Sequence, residues 1–173
     1  MKKLWEIPLT IKINYSSSEF QEFGWPLVRV LFNDKVVANF EAESAVNANI
    51  EFTVVQDIDL KTNKLVVEHY GKNYYKDMKF FQVNKIYVNN IDLDKILWDG
   101  VQHRLLAPWE DNVESEVKGN MYLGHNGYIL WEFENPILLD IQRRLGKTVK
   151  QISGQDSTYK VLNEVKEYFF NIE

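Results

Sequence analysis

Leu27-Val28-Arg29-Val30-Leu31-Phe32-Asn33-Asp34-Lys35-Val36-Val37-Ala38-Asn39-Phe40 decides the fold. Two β-rich runs flank an Asn-Asp pair, and both of these residues tolerate the positive φ that a tight hairpin turn demands. Period-two patterning spreads outward from this hairpin. Upstream, Leu9, Ile11 and Ile13 alternate with Thr10 and Lys12 until Ser16-Ser17-Ser18, where the strand is expected to break. Downstream, Ile50 to Leu60, Leu65 to Lys72, Phe80 to Leu93 and Tyr128 to Glu134 each read as strands. Parallel βαβ winding needs crossover helices, and none fits before residue 136. The pattern predicts a mainly β chain, an antiparallel jelly-roll-type β-sandwich.

The C-terminal part changes period. Pro136 can open a helix; Ile137, Leu138, Ile141 and Leu145 follow at helical spacing, and Arg143-Arg144 precede Gly146, a set of start and stop signals. Residues 147–155 read as a polar linker. Asp156 or Ser157 then caps a second helix near 156–171, whose stripe is Val161, Leu162, Val165, Tyr168, Phe169 and Ile172. The domain reading is therefore a sandwich over 1–146, then linker and amphipathic helix over 147–173. The stripe is expected to dock on a partner, a virion protein or a second copy, as a helix in a groove does.

The 173 residues are 45% hydrophobic and 14% aromatic, with a net charge of −5. An acidic chain with no basic run is a poor nucleic-acid binder. Met1-Lys2-Lys3 is followed by a charge and Pro8 rather than the apolar core of a leader, and no run approaches the roughly 20 apolar residues of a membrane span. The expectation is no membrane partner. Cysteine is absent, which excludes disulfides and thiolate chemistry.

Catalytic constellations are missing. His69, His103 and His125 share no ligand spacing, the 8 glycines form no phosphate loop, and no serine sits in a nucleophile elbow. No enzyme, cofactor or metal is expected. Asp57 with Asp59, and Asp92 with Asp94 and Asp99, present spaced carboxylates, but without a calcium loop they read as solvated turn residues. The span from Asp99 to Asn120 reads as a long surface loop with a short helical turn. Aromatics are the best binding material. Tyr74, Tyr75, Trp109 and Tyr122 are the candidate glycan- or partner-binding residues, while Trp98 and Trp131 are assigned to the core.

Two resemblances follow from these residues. Leu65 to Lys72, Asp77 and Phe81 to Asn90 resemble the core of calcium-dependent xylan-binding modules, which are jelly rolls. Asp77 matches that family's second acidic position, but Lys72 stands where the first acidic ligand belongs and Met78-Lys79 replaces Arg-Asn. The resemblance implies the fold without a high-affinity calcium site.

The chain is also similar to uncharacterised β-sandwich proteins of tailed marine and cyanobacterial phages. The shared elements are Leu65 to Lys72, Ile86 to Ile91, and Tyr122-Leu123-Gly124-His125-Asn126-Gly127 through Phe133 and Pro136. That likeness implies a non-enzymatic structural or adaptor protein of the virion, such as a capsid decoration, neck or tail component, assembled in the host cytoplasm. The alternative is a carbohydrate-binding module that recognises host surface glycan.

Overall fold

The computed structural model describes residues 8–18, 24–43, 46–57, 59–72, 78–105 and 115–146. Tyr74, Tyr75, Asp77, Trp109, the linker 147–155 and the docking stripe Val161, Leu162, Val165, Tyr168, Phe169 and Ile172 lie outside the described residues.

In chain order the elements are β1 Pro8–Ser17, β2 Leu27–Phe32, β3 Lys35–Glu41, β4 Ala48–Val55, β5 Thr62–Tyr70, β6 Phe81–Val88, β7 Ile91–Asp92, a 3₁₀ helix Asp94–Asp99, β8 Val101–Arg104, β9 Ser115–Lys118, β10 Tyr122–Leu123, β11 Gly127–Glu134 and α1 Ile137–Leu145. One sheet runs β10-β6-β1-β4, with β7 paired to β6; the other runs β3-β2-β5-β11-β8-β9. Every pairing is antiparallel. The chain is a mainly β sandwich of two sheets with a short helix after the last strand.

Strand alternation builds the core. Leu9, Ile11, Ile13 and Tyr15 of β1 are buried against Val28, Val30, Leu65, Val67, Ile129 and Trp131 of the facing sheet. Each such side chain contributes about 1.5–3 kcal/mol when fully buried. Tyr15 stacks on Phe81 with ring centroids 4.8 Å apart. Ile137, Leu138, Ile141 and Leu145 of α1 close one side of this core, and Gly146 ends the helix in the left-handed conformation at φ 66°.

The hairpin turn takes the form its residues demand, with Asn33 at φ 48° and Asp34 at φ 64°. Its tip is tied to β5, because Lys64 N–H donates to Asn33 Oδ1 at 2.8 Å and Asn33 N–H donates to Lys64 O at 2.9 Å. Asn89 and Asn90 form a second turn of the same kind, φ 46° and 64°, which cuts the expected single run Phe80 to Leu93 into β6 and β7.

Two expectations need correcting. β1 does not break at Ser16 but continues through Ser17, whose hydroxyl donates to Ala42 O at 3.0 Å and Glu43 O at 3.2 Å. Internal partners let a buried serine stay in the strand. The Asp99 to Asn120 span is not one long loop, since it contains β8 and β9, paired in register from Val101↔Lys118 to Arg104↔Ser115. The inward residue of β8 is Gln102, and a polar residue at a buried position hides the alternation that marks a strand.

Candidate functional site

Two tryptophans that meet at the 3₁₀ helix, Trp98 within it and Trp131 bonded to it from β11, take opposite roles. The 3₁₀ helix buries Ile96 and Leu97. Trp131, 1% exposed in β11, donates its indole N–H to Leu97 O at 2.9 Å. Gly100 lies flat on the Trp131 ring, where an added Cβ would sit 2.6 Å from ring atoms. With Leu97 held inward, the next residue turns out: Trp98 is 56% exposed. Trp131 is therefore core as expected, and Trp98 is not.

Tyr122 stands opposite. Its neighbours Met121 and Leu123 are buried, so alternation leaves Tyr122 45% exposed. The ring stacks on Phe80 with centroids 5.1 Å apart and covers Gly124, where a Cβ would meet it at 2.7 Å. The backbone beneath is fixed. Asn120 Oδ1 accepts the Tyr122 N–H at 3.0 Å, and the buried Gln102 amide donates to Asn120 O at 3.3 Å and Tyr122 O at 2.7 Å.

Trp98 and Tyr122 flank a groove of about 340 Å³, into which β6 also presents Gln82 and Asn84. Asn120 completes the polar lining, while Val83 and Met121 are the apolar part. Amides both donate and accept, and aromatic faces offer flat apolar surface, so the groove suits a neutral ligand that carries hydroxyls on an apolar ring. None of its lining residues is charged. The ionic groups beside it are paired elsewhere: Asp99 meets Arg144 at 2.7 Å and Lys118 at 3.5 Å. Partial desolvation would raise the Asp99 pKa, but the Arg144 hydrogen bond and the two cations hold it below the ordinary carboxylate value.

A second constellation sits where β5 ends. Lys72 directs its ammonium at Lys79 O, 2.9 Å away, and at Gly124 O. The Asn126 amide clasps the Lys72 main chain, accepting from its N–H at 2.8 Å and donating to its carbonyl at 3.0 Å. One ammonium thus ties the end of β5, the approach to β6 and the β10–β11 connection. Main-chain carbonyls are ligands suited to a hard cation, and here a side-chain cation meets two of them.

The two Asp-x-Asp pairs, His69 and His103 have partners within the fold. Asp57 Oδ1 accepts the Asp59 N–H at 3.0 Å, and Asp92 Oδ1 accepts the Asp94 N–H at 2.9 Å, so both Asp-x-Asp pairs shape turns. Among the described residues no group of three His, Asp or Glu side chains converges as a metal site. His69 is buried with Nδ1 3.0 Å from Leu123 O; His103 stacks on Tyr128 at 4.6 Å.

Of the four candidate binding residues, the structure places Tyr122 in the groove; Tyr74, Tyr75 and Trp109 lie outside the described residues. The groove adds Trp98, Gln82, Asn84 and Asn120. The polar exposed positions of β6 were the available signal, since Gln82 and Asn84 alternate with Phe81 and Val83.

No protein-family model matches the chain, and no curated protein matches it significantly. Among solved structures, the chain is similar to the selenomethionine form of vCBM60, described as linking two families of calcium-dependent carbohydrate-binding modules by circular permutation. That match has 17% identity over 70% of this chain and 88% of the other, with a TM-score of 0.47. It is also similar to vCBM60 in complex with galactobiose, at 16% identity over 70% of this chain and 95% of the other, with a TM-score of 0.45. These likenesses, below a TM-score of 0.5, assign no role to any residue here.

Proposed function

We propose that the protein is a non-catalytic glycan-binding module that holds a sugar between Trp98 and Tyr122. One observation carries this reading: two exposed aromatic side chains, Trp98 and the Tyr122 ring stacked on Phe80, line a groove whose polar side chains are uncharged amides. Sugar rings present apolar C–H faces to aromatic planes and hydroxyls to amides. The Tyr122 ring, already packed on Phe80 and Gly124, loses little conformational freedom on binding. No observation among the described residues favours the structural role in a phage particle, whereas the groove favours this one.

The test is affinity electrophoresis against soluble xylan, galactan and β-glucan, followed by calorimetry on the polysaccharide that retards the protein. Trp98→Ala is expected to weaken binding at least about tenfold, equivalent to about 1.4 kcal/mol. Its far-UV spectrum and melting temperature should stay close to wild type, because an exposed side chain is removed. Undiminished binding by the variant, or no retardation on any of the three, overturns the proposal.

A further inference from the structure

The groove does not end at β6. The outward face of the five-stranded sheet continues it as a strip of uncharged hydrogen-bonding side chains across β1 and into the approach to β4. Register places Tyr122 opposite Gln82 and Gln82 opposite Ser16, so these three lie in one row. Beside that row, Asn84 Nδ2 donates to Asn14 Oδ1 at 3.1 Å and to Ser16 Oγ at 2.9 Å. Asn14 Nδ2 in turn donates to Asn49 Oδ1 at 3.1 Å. A shift in the β1–β6 register at Asn14 and Tyr15 leaves Asn84 as the extra residue of β6, and so brings its amide into this line.

Two physical features separate the strip from an ordinary wet strand surface. First, its amides are pre-ordered by one another. An amide has two donor hydrogens and two acceptor lone pairs on its oxygen, so the single bonds that Asn14 gives to Asn49 and takes from Asn84 leave capacity on both ends. A ligand meets side chains already held in place, which lowers the entropic cost of binding. Second, the strip is bounded by charge. The next row along the strands is Glu51, Lys12 and Tyr87, joined by the β1 registers, with the Lys12 ammonium 4.5 Å from the Tyr87 ring centre. Lys85 is likewise engaged, 3.4 Å from Asp92.

We infer that the site takes a short neutral oligosaccharide, one end stacked between Trp98 and Tyr122 and the rest lying across Gln82, Asn84, Asn14 and Asn49. This inference rests on the glycan-binding reading above and adds the charge and length of the ligand. From β10 to β4 is three inter-strand spacings, roughly 14 Å, which is oligosaccharide length rather than that of one sugar. The cations that border the strip, Lys85 opposite Asn14 and Lys12 one row on, are already engaged with Asp92 and the Tyr87 ring, so a uronate-bearing chain would have to compete for them and would lose hydration on binding.

The experiment is calorimetry with neutral oligosaccharides, monosaccharide to hexasaccharide, cut from whichever polysaccharide binds the full-length protein, alongside polygalacturonate fragments of the same lengths. Affinity for the neutral series should rise at least tenfold from disaccharide to tetrasaccharide and then level off, with the acidic series at least tenfold weaker. The double variant Asn14→Ala/Asn49→Ala should flatten the rise and leave disaccharide binding within twofold of wild type. Asn14→Ser/Asn49→Ser, which keeps hydroxyls in the strip, should restore part of the rise and guards against a folding defect. If disaccharide and tetrasaccharide bind equally, if the alanine variant keeps the full rise, or if the acidic series binds better, the inference fails while the groove reading stands. If no saccharide binds, the groove reading itself fails.

Discussion

Removing the Lys72 ammonium isolates the clamp that joins the sheets at one end of the sandwich. Lys72→Met keeps an unbranched stem of similar length and deletes only the cation. The ammonium donates to Lys79 O and Gly124 O, which lead into β6 and lie between β10 and β11. A hydrogen bond from a charged donor is worth about 1.5–3 kcal/mol, and a carbonyl left without it loses up to a similar amount. Lys72 is half-buried, so water recovers part of this. The expected destabilisation is therefore about 2–4 kcal/mol rather than the full sum of two bonds. Urea unfolding followed by tryptophan fluorescence reads it directly. With a slope of about 2 kcal/mol/M, the midpoint should fall by about 1–2 M with the slope unchanged. Because Gly124 lies under the Tyr122 ring, the same variant should also weaken glycan binding several-fold. A destabilisation below about 0.5 kcal/mol, the range of an ordinary surface substitution, would refute the reasoning.

Two further outcomes follow from the geometry. Gly127→Ala should destabilise the fold by about 4 kcal/mol, combining backbone strain and overpacking: Gly127 has φ 156°, and a Cβ there would lie 2.2 Å from His103 O in the adjoining strand. Equilibrium unfolding within about 1 kcal/mol of wild type contradicts this. The Asp99 carboxyl, held below its ordinary pKa by Arg144 and Lys118 despite partial desolvation, contributes stability that is complete above the unfolded carboxylate value of about 4 and is lost as pH falls through the lower folded value. Melting temperatures taken from pH 6 down to pH 2 should therefore fall less steeply for Asp99→Asn than for wild type; equal slopes would show that the pairing does not matter.

The sequence by itself determined the sandwich, because period-two burial is local information. Leu9, Ile11 and Ile13 announce an inward face without knowing what they face, and Asn33-Asp34 announces its turn because its φ values are a property of two residues. The helix over Ile137–Leu145 was legible for the same reason, its apolar spacing and Gly146 being read within a few turns of chain. Where a polar residue is satisfied from far away, local reading fails. Gln102 is an inward strand residue only because its amide reaches Asn120 O and Tyr122 O, and Ser17 continues β1 only because Ala42 O is there to accept from it.

The candidate site belongs wholly to this second class. Trp98 and Trp131 are the same residue type, one in the 3₁₀ helix and one in β11. What makes one core and the other surface is the indole N–H of Trp131 on Leu97 O, a contact across 34 positions of chain. Tyr122 was legible as a candidate aromatic, but not its neighbours, since Gln82, Asn84 and Asn14 meet only when β10, β6 and β1 are paired in register. The chain's alternation decides which side of a strand each residue faces. Only the strand order decides which outward residues become neighbours.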